Sequence, residues 1–136
     1  MTTRTLLCLA ALSWTTACAT SRELPDSDAV PADLTHAGWT VRSQPPGFRK
    51  VTEMTRTLNG VSGVGHIVFS DGLAAVSVFI EPMAGRSEAV RPGLSSLGAF
   101  HIYTREVANH IVTVVGEAPA VSVQRIADQV EFRRPQ

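Results

Sequence analysis

The sequence predicts an α+β domain: an antiparallel sheet of about six strands with a C-terminal helix packed on one face. Three observations carry this. Between Val64 and Pro82, two runs rich in Val, Ile and Phe flank a Ser70-Asp71-Gly72 corner, a strong hairpin signal. Ile111 to Val115 is an uninterrupted β-branched run, which suits a central strand. Val123, Ile126, Ala127 and Val130 then recur at i, i+3, i+4 and i+7, one apolar stripe of a helix.

The elements follow in order. Residues 1–19 read as an export signal: Arg4 supplies a positive start, Leu6 to Leu12 a short apolar core, and Ala17-Cys18-Ala19 a small-residue cleavage site. The apolar run is too short to span a bilayer as a mature helix. Thr15-Thr16-Ala17-Cys18 is also similar to a bacterial lipobox, with Thr15 where Leu is usual, so Cys18 is a candidate for acylation. Residues 20–37, with Pro25, Pro31 and several Asp and Ser, are expected to be a flexible linker. The folded domain is expected to occupy residues 38–134.

Trp39 to Arg42 reads as a short strand, and Pro45-Pro46-Gly47-Phe48 as a rigid corner. Phe48 to Leu58 suits a strand with one solvated face; Asn59-Gly60 closes it, and Val61 to Gly63 is expected to continue the loop. In the hairpin, Gly72 is expected to supply the positive φ of a tight turn, with Leu73 opening the second strand. There Ala74, Val76, Val78 and Ile80 face one way, and Leu73, Ala75, Ser77 and Phe79 the other. Met83 to Leu97 reads as a long loop. Ala99 to Arg105 is a strand, Asn109-His110 a turn, and Gly116 to Pro119 a break into the helix. Pro119 fits the first helical position and Glu117 the positive end of the helix dipole. Arg133 and Arg134 are expected at the helix's far end.

The chain has 136 residues, 12 Lys and Arg against 12 Asp and Glu, and two cysteines. Balanced charge without a basic stripe excludes nucleic acid as the expected partner. Cys8 and Cys18 both lie in the first twenty residues, so the domain has no internal disulfide framework and no thiolate metal site. Ser70, Asp71 and His66 contain the residue types of a nucleophile, an orienting acid and a base. No G-x-S-x-G elbow accompanies them, and a turn already explains Ser70 and Asp71. His66, His101 and His110 match no metal-ligand spacing. The expected enzyme class is therefore none, and the expected cofactor none. Most aromatic residues belong to a core. Trp39 and Tyr103, each with a polar tip and an apolar body, are the candidates for partner anchors.

Four motifs occur in order: Trp39 with Pro46-Gly47-Phe48; Phe69-Ser70-Asp71-Gly72-Leu73; Ser77-Val78-Phe79-Ile80-Glu81; and Thr113-Val114-Val115-Gly116-Glu117-x-Pro119. Together they resemble the C-terminal domain of the MucB/RseB family, periplasmic regulators of the envelope-stress sigma factor. The resemblance covers about Gly38 to Phe132. It implies a binding protein without catalysis, whose partner is the periplasmic segment of a membrane-spanning anti-sigma factor. It also implies a periplasmic location, with the membrane reached only through Cys18 if that residue is acylated. Full-length family members carry a larger N-terminal domain linked to lipid sensing. The sequence ahead of Trp39 is too short for it, so lipid sensing is not carried over. The alternatives are a structural envelope lipoprotein without a signalling role and a truncated paralogue. An extended partner segment is expected along an exposed sheet edge or in a groove beside the Met83–Leu97 loop.

Overall fold

The computed structural model describes residues 28–84 and 89–136. The expected export signal with Cys18, and residues 20–27 of the expected linker, lie outside the described residues. Among the described residues, nine strands and one helix follow in order: β1 (Val30–Pro31), β2 (Trp39–Val41), β3 (Arg49–Leu58), β4 (Val61–Ser70), β5 (Ala75–Pro82), β6 (Gly93–Leu97), β7 (Phe100–Val107), β8 (His110–Gly116), α1 (Ala120–Asp128) and β9 (Val130–Phe132). Seven strands form one antiparallel sheet in the order β1-β3-β4-β5-β8-β7-β6, and β2 pairs with β9 in a separate ribbon.

Local chemistry sets the hairpins. Asn59 and Gly60 have φ of 50° and 79° and join Leu58 to Val61 in a two-residue turn. Two successive positive φ values match the right-handed twist of the strands, which is why Asn-Gly suits this place. Strand pairing therefore resumes at Val61, and Val61 to Gly63 belong to β4 rather than to a loop. Ala108 and Asn109, at φ 49° and 60°, make the same kind of turn between Val107 and His110. The turn thus falls one residue earlier than Asn109-His110, and His110 opens β8.

The β4–β5 connection is longer than a tight turn. Ser70 faces Ala75, so Asp71 to Ala74 form a four-residue loop. Asp71 Oδ1 accepts the N–H groups of Leu73 and Ala74 at 2.9 and 2.7 Å, and the Ser70 hydroxyl donates to the Ala74 carbonyl at 2.9 Å. These local acceptors favour a wide loop over a two-residue turn. Leu73 consequently stands at the tip, 99% exposed, and does not start the strand.

The core lies on one face of the large sheet. Ile67 and Phe69 of β4, Val76, Val78 and Ile80 of β5, and Val112 and Val114 of β8 point to it. Val123, Ile126 and Ala127 of α1 close over them, each fully buried. Pro119 is the N-cap, one position before the first helical residue, and its carbonyl accepts the N–H of Ser122 at 2.8 Å. The helix ends at Asp128, short of Arg133 and Arg134. Val130 fits the helical stripe, but with Phe132 it also fits a period of two. Pairing with Trp39–Val41 decides for the strand.

Two further expectations change. The stretch 28–37 is not a free linker along its whole length. Val30 and Pro31 pair with Thr55 and Met54, Leu34 is 6% exposed, and the Trp39 N–H donates to the Leu34 carbonyl at 2.9 Å. One buried leucine is enough to dock such a segment. Met83 to Leu97 ends in β6, which pairs with β7 from Gly93↔Thr104 to Leu97↔Phe100. Its Gly-Leu-Ser-Ser-Leu sequence has little apolar period, and it owes its form to the neighbouring strand.

Candidate functional site

The sheet's second face, turned away from α1, begins with side chains from five adjacent strands. Thr52 and Met54 of β3, Val68 of β4, Ser77 and Phe79 of β5, Thr113 and Val115 of β8, and Ile102 and Thr104 of β7 are all half-buried. His66 lies among them, 8% exposed, its ring stacked on Phe79 at 4.4 Å. Its Nδ1 lies 3.4 Å from Arg56 Nη1, and its Nε2 has no hydrogen-bond partner. Burial first, and the Arg56 guanidinium second, hold its pKa below the usual histidine range.

This geometry does not assemble a hydrolytic relay. His66 and Ser70 are four residues apart on one strand, about 13 Å along it. The Ser70 hydroxyl proton is committed to the Ala74 carbonyl, and Asp71 is bonded to loop N–H groups. Those N–H groups hold the Asp71 carboxyl below its usual range, Ala74 more than Leu73. The three histidines also stand apart. His66 is on the open face, whereas His101 and His110 are on the helix face, paired near opposite ends of β8 with Gly116 and with Pro82. His101 Nδ1 contacts the Ala118 carbonyl at 2.9 Å.

Trp39 and Tyr103 separate in role. Trp39 is only 7% exposed; its ring meets His110 edge-on at 4.9 Å and Phe132 at 5.0 Å. It is a core residue that pins the β2–β9 ribbon to the sheet, beside a cleft of about 320 Å³ that Leu34, Ala37 and Gly63 also line. Tyr103 is half-buried at the border of the core, directly beside Leu94 of β6.

The motif residues converge at one end of the sheet. Phe48 N–H donates to the Pro45 carbonyl at 3.1 Å across a turn in which Gly47 has φ 88°, so Pro46 and Gly47 hold the two positions that favour Pro and Gly. Gly47 adjoins Asp71 and Gly72 in a shallow depression. Val76, just past Ser70-Asp71-Gly72-Leu73, pairs with Gly116, and a Cβ on Gly116 would lie 2.7 Å from the Ala75 carbonyl oxygen. Ser77 and Phe79 lie further along β5 on the open face; Glu117 is exposed between β8 and Pro119. Most of these residues are therefore accounted for by the join between corner, hairpin and helix.

Sequence reasoning expected an exposed sheet edge but read the strand that forms it, β6, as part of a loop. β6 ends the large sheet, and among the described residues no further strand pairs with it. Leu94 and Leu97 are 49% and 72% exposed, and Phe100, opposite Leu97, is 43% exposed. The groove expected beside the Met83–Leu97 loop is a small cavity of about 140 Å³, lined by Met83, Val90, Pro92 and Ile111 among others. It admits a side chain rather than a helix.

Among the described residues, a small sheet with a helix on one face and an unpaired strand at one edge has the form of the domains that add an extended partner segment. Residues 33–131 match the family model of the MucB/RseB C-terminal domain, and the chain belongs to that family. It is 34% identical over 94 residues to the sigma factor AlgU regulatory protein MucB of Pseudomonas aeruginosa, covering 65% of this chain and 29% of that protein. It is 30% identical over 118 residues to the sigma-E factor regulatory protein RseB of Salmonella typhimurium, covering 83% and 36%. The fold is similar to that of MucB in a crystal structure of its complex with MucA(peri), with a TM-score of 0.58, 31% identity, and coverage of 72% of this chain and 37% of that one. The chain thus spans about a third of the length of the relatives it matches.

Proposed function

We propose that the chain is a non-catalytic regulatory module of the periplasm that holds an extended segment of a membrane-spanning anti-sigma factor. The observation that carries this is its membership of a family in which MucB is found in complex with MucA(peri). The β6 edge offers the physical route. An extended segment gains main-chain hydrogen bonds there, and Leu94, Tyr103 and Leu97 offer apolar contacts to alternate side chains. Pairing of this kind needs no enzyme chemistry and no cofactor.

The test is calorimetric titration of the full chain with the periplasmic segment of the host's anti-sigma factor. Binding at micromolar affinity or tighter, on the order of −8 kcal/mol, is expected. No heat and no shift in melting temperature would mean that the fold is retained without the partner. The lipobox-like Thr15-Thr16-Ala17-Cys18 supports anchoring of the mature chain through Cys18. Labelled palmitate should then enter the wild-type chain and not Cys18→Ser; an unlabelled wild type removes the anchor and leaves the binding reading intact.

A further inference from the structure

Three connections meet at one end of the large sheet. Ser70 pairs with Ala75 to close β4–β5, Leu97 pairs with Phe100 to close β6–β7, and Gly116, paired with both Val76 and His101, ends β8 just before α1. Each connection carries an exposed apolar side chain. Leu73 stands at the tip of the first, Leu97 and Phe100 flank the second, and Val121, 61% exposed, lies in the first turn of α1. In the strand order β4-β5-β8-β7-β6 the two loop tips stand about 14 Å apart. Between Pro92 and Phe100 no residue carries a charge. The 71–74 loop has one, on Asp71, and its backbone closes on itself. The N–H groups of Leu73 and Ala74 go to the Asp71 carboxylate, that of Gly72 to the Ser70 hydroxyl at 3.0 Å, and that of Asp71 to the Ala74 carbonyl at 3.3 Å. A tip bathed in water has no need of this; a tip in a medium without hydrogen-bonding partners does.

We propose that this end docks on a lipid bilayer, with Leu73, Leu97 and Phe100 entering the boundary between headgroups and acyl chains. A protein partner would have to offer a pocket to each protruding side chain, whereas acyl chains close around protrusions of any spacing. Arg49, exposed opposite Ser70 at the base of the Leu73 loop, then lies at headgroup depth, where lipid phosphates complement its charge. Asp71 and Glu117 are the acidic side chains here; both are exposed and stay in the hydrated headgroup layer. The chain ahead of the described residues is long enough for this attitude. Val30 lies opposite Thr55, about 20 Å along β3 from Arg49, and the chain from Cys18 to Asp28 spans at most about 35 Å. A Cys18 anchor would therefore tether the domain without holding this end off the bilayer. The outer edge of β6 remains open in the docked chain. Under the proposed function, the segment of a membrane-spanning partner emerges from the same surface, so docking keeps edge and segment close together.

Full chains carrying Cys8→Ser and Cys18→Ser, which cannot be acylated, test this. A single thiol is added as Leu73→Cys, Leu97→Cys or Thr57→Cys and labelled with the polarity-sensitive fluorophore NBD. Thr57 is exposed near the opposite end of β3 and serves as the reference. The probe is a vesicle of equal parts phosphatidylethanolamine and phosphatidylglycerol. With vesicles, the Leu73→Cys and Leu97→Cys labels are expected to brighten several-fold and shift to the blue, and the Thr57→Cys label to stay unchanged. In the unlabelled chain, Leu73→Asp with Leu97→Asp should weaken vesicle flotation about tenfold or more. The melting temperature should not change, since both side chains project into solvent. Labels at Leu73→Cys and Leu97→Cys that stay dark while the chain floats would assign the lipid contact to residues 1–19 and overturn the proposal. Three labels responding alike would overturn it too. So would brightening with the anti-sigma segment and not with vesicles, which would make this end a protein surface. A chain that docks on vesicles and ignores the anti-sigma segment supports the docking and removes only the functional reading.

Discussion

At the scale of single residues, two positions show how sequence choice follows from local space and solvent. Gly116 is buried where β8 passes the start of β5, and an added Cβ would lie 2.7 Å from both the Ala75 carbonyl oxygen and Val76 Cγ2. Gly116→Ala must therefore push backbone apart, and a loss of about 2–3 kcal/mol is expected in urea unfolding. His66 gives a pH signature. Burial lowers its folded pKa below the ordinary value of 6.5, so the unfolded chain binds its proton more readily. Stability should be full above pH 6.5, fall as pH drops towards the lowered folded value, and level off beneath it. Melting temperatures of wild type and His66→Gln between pH 5 and 8 check this: the variant should lose that slope. A wild-type curve parallel to the variant's would show that the imidazole titrates alike in both states. Asp71 works in the other direction. Its carboxylate is favoured by two loop N–H groups, so its contribution is present above about pH 4 and is lost as pH falls through its lowered folded pKa.

At the scale of elements, what the sequence disclosed was what side-chain period alone can encode. Val76, Val78 and Ile80 of the alternation, Ile111, Val112 and Val114 of the β-branched run, and Val123, Ile126 and Ala127 of the stripe reached buried positions, while Thr113 and Val115 are half-buried on the face away from α1. The helix stripe should be costly to trim: Ile126→Ala, at a fully buried site between α1 and the sheet, is expected to cost about 2–5 kcal/mol. Denaturant midpoints with unchanged slope would check it. Elements that exist only through pairing were not legible. β9 reads as the end of a helix until Trp39–Val41 is laid beside it, and β6 reads as loop until β7 is. The hairpin loop was misjudged for the opposite reason. Asp71-Gly72 is a tight-turn signal, but the Asp71 carboxylate and Ser70 hydroxyl bind loop backbone two to four residues on. The β6 edge, proposed as the binding edge, shares this fate, because an unpaired backbone carries no side-chain signature.

At the scale of the molecule, the limit of the folded unit is set by packing rather than by composition. Pro31 and the Asp-rich stretch before it suggested a linker up to Ala37, with folding from Gly38. Yet Leu34 is buried against Gly65, whose missing side chain makes room for it: a Cβ there would lie 3.0 Å from Leu34 Cδ1. The Leu34 N–H donates to the Glu53 carboxylate, and the Leu34 carbonyl receives Trp39 N–H at 2.9 Å. Trp39 in turn meets Phe132 and His110, so the segment supports the ribbon that closes the core next to α1. A chain beginning at Gly38 loses β1, uncovers Gly65 and strips one hydrogen bond from the start of β2. Loss of one buried leucine and its hydrogen bonds predicts a destabilisation of about 2–4 kcal/mol. Urea unfolding of chains beginning at Asp28 and at Gly38 measures it directly. Matching midpoints would show that residues 28–37 lie on the sheet without stabilising it; a lowered midpoint for the shorter chain places the physical boundary before β1. Any binding measurement on this domain should keep that segment, since weak binding by a chain cut at Gly38 would report its unfolding as much as its affinity.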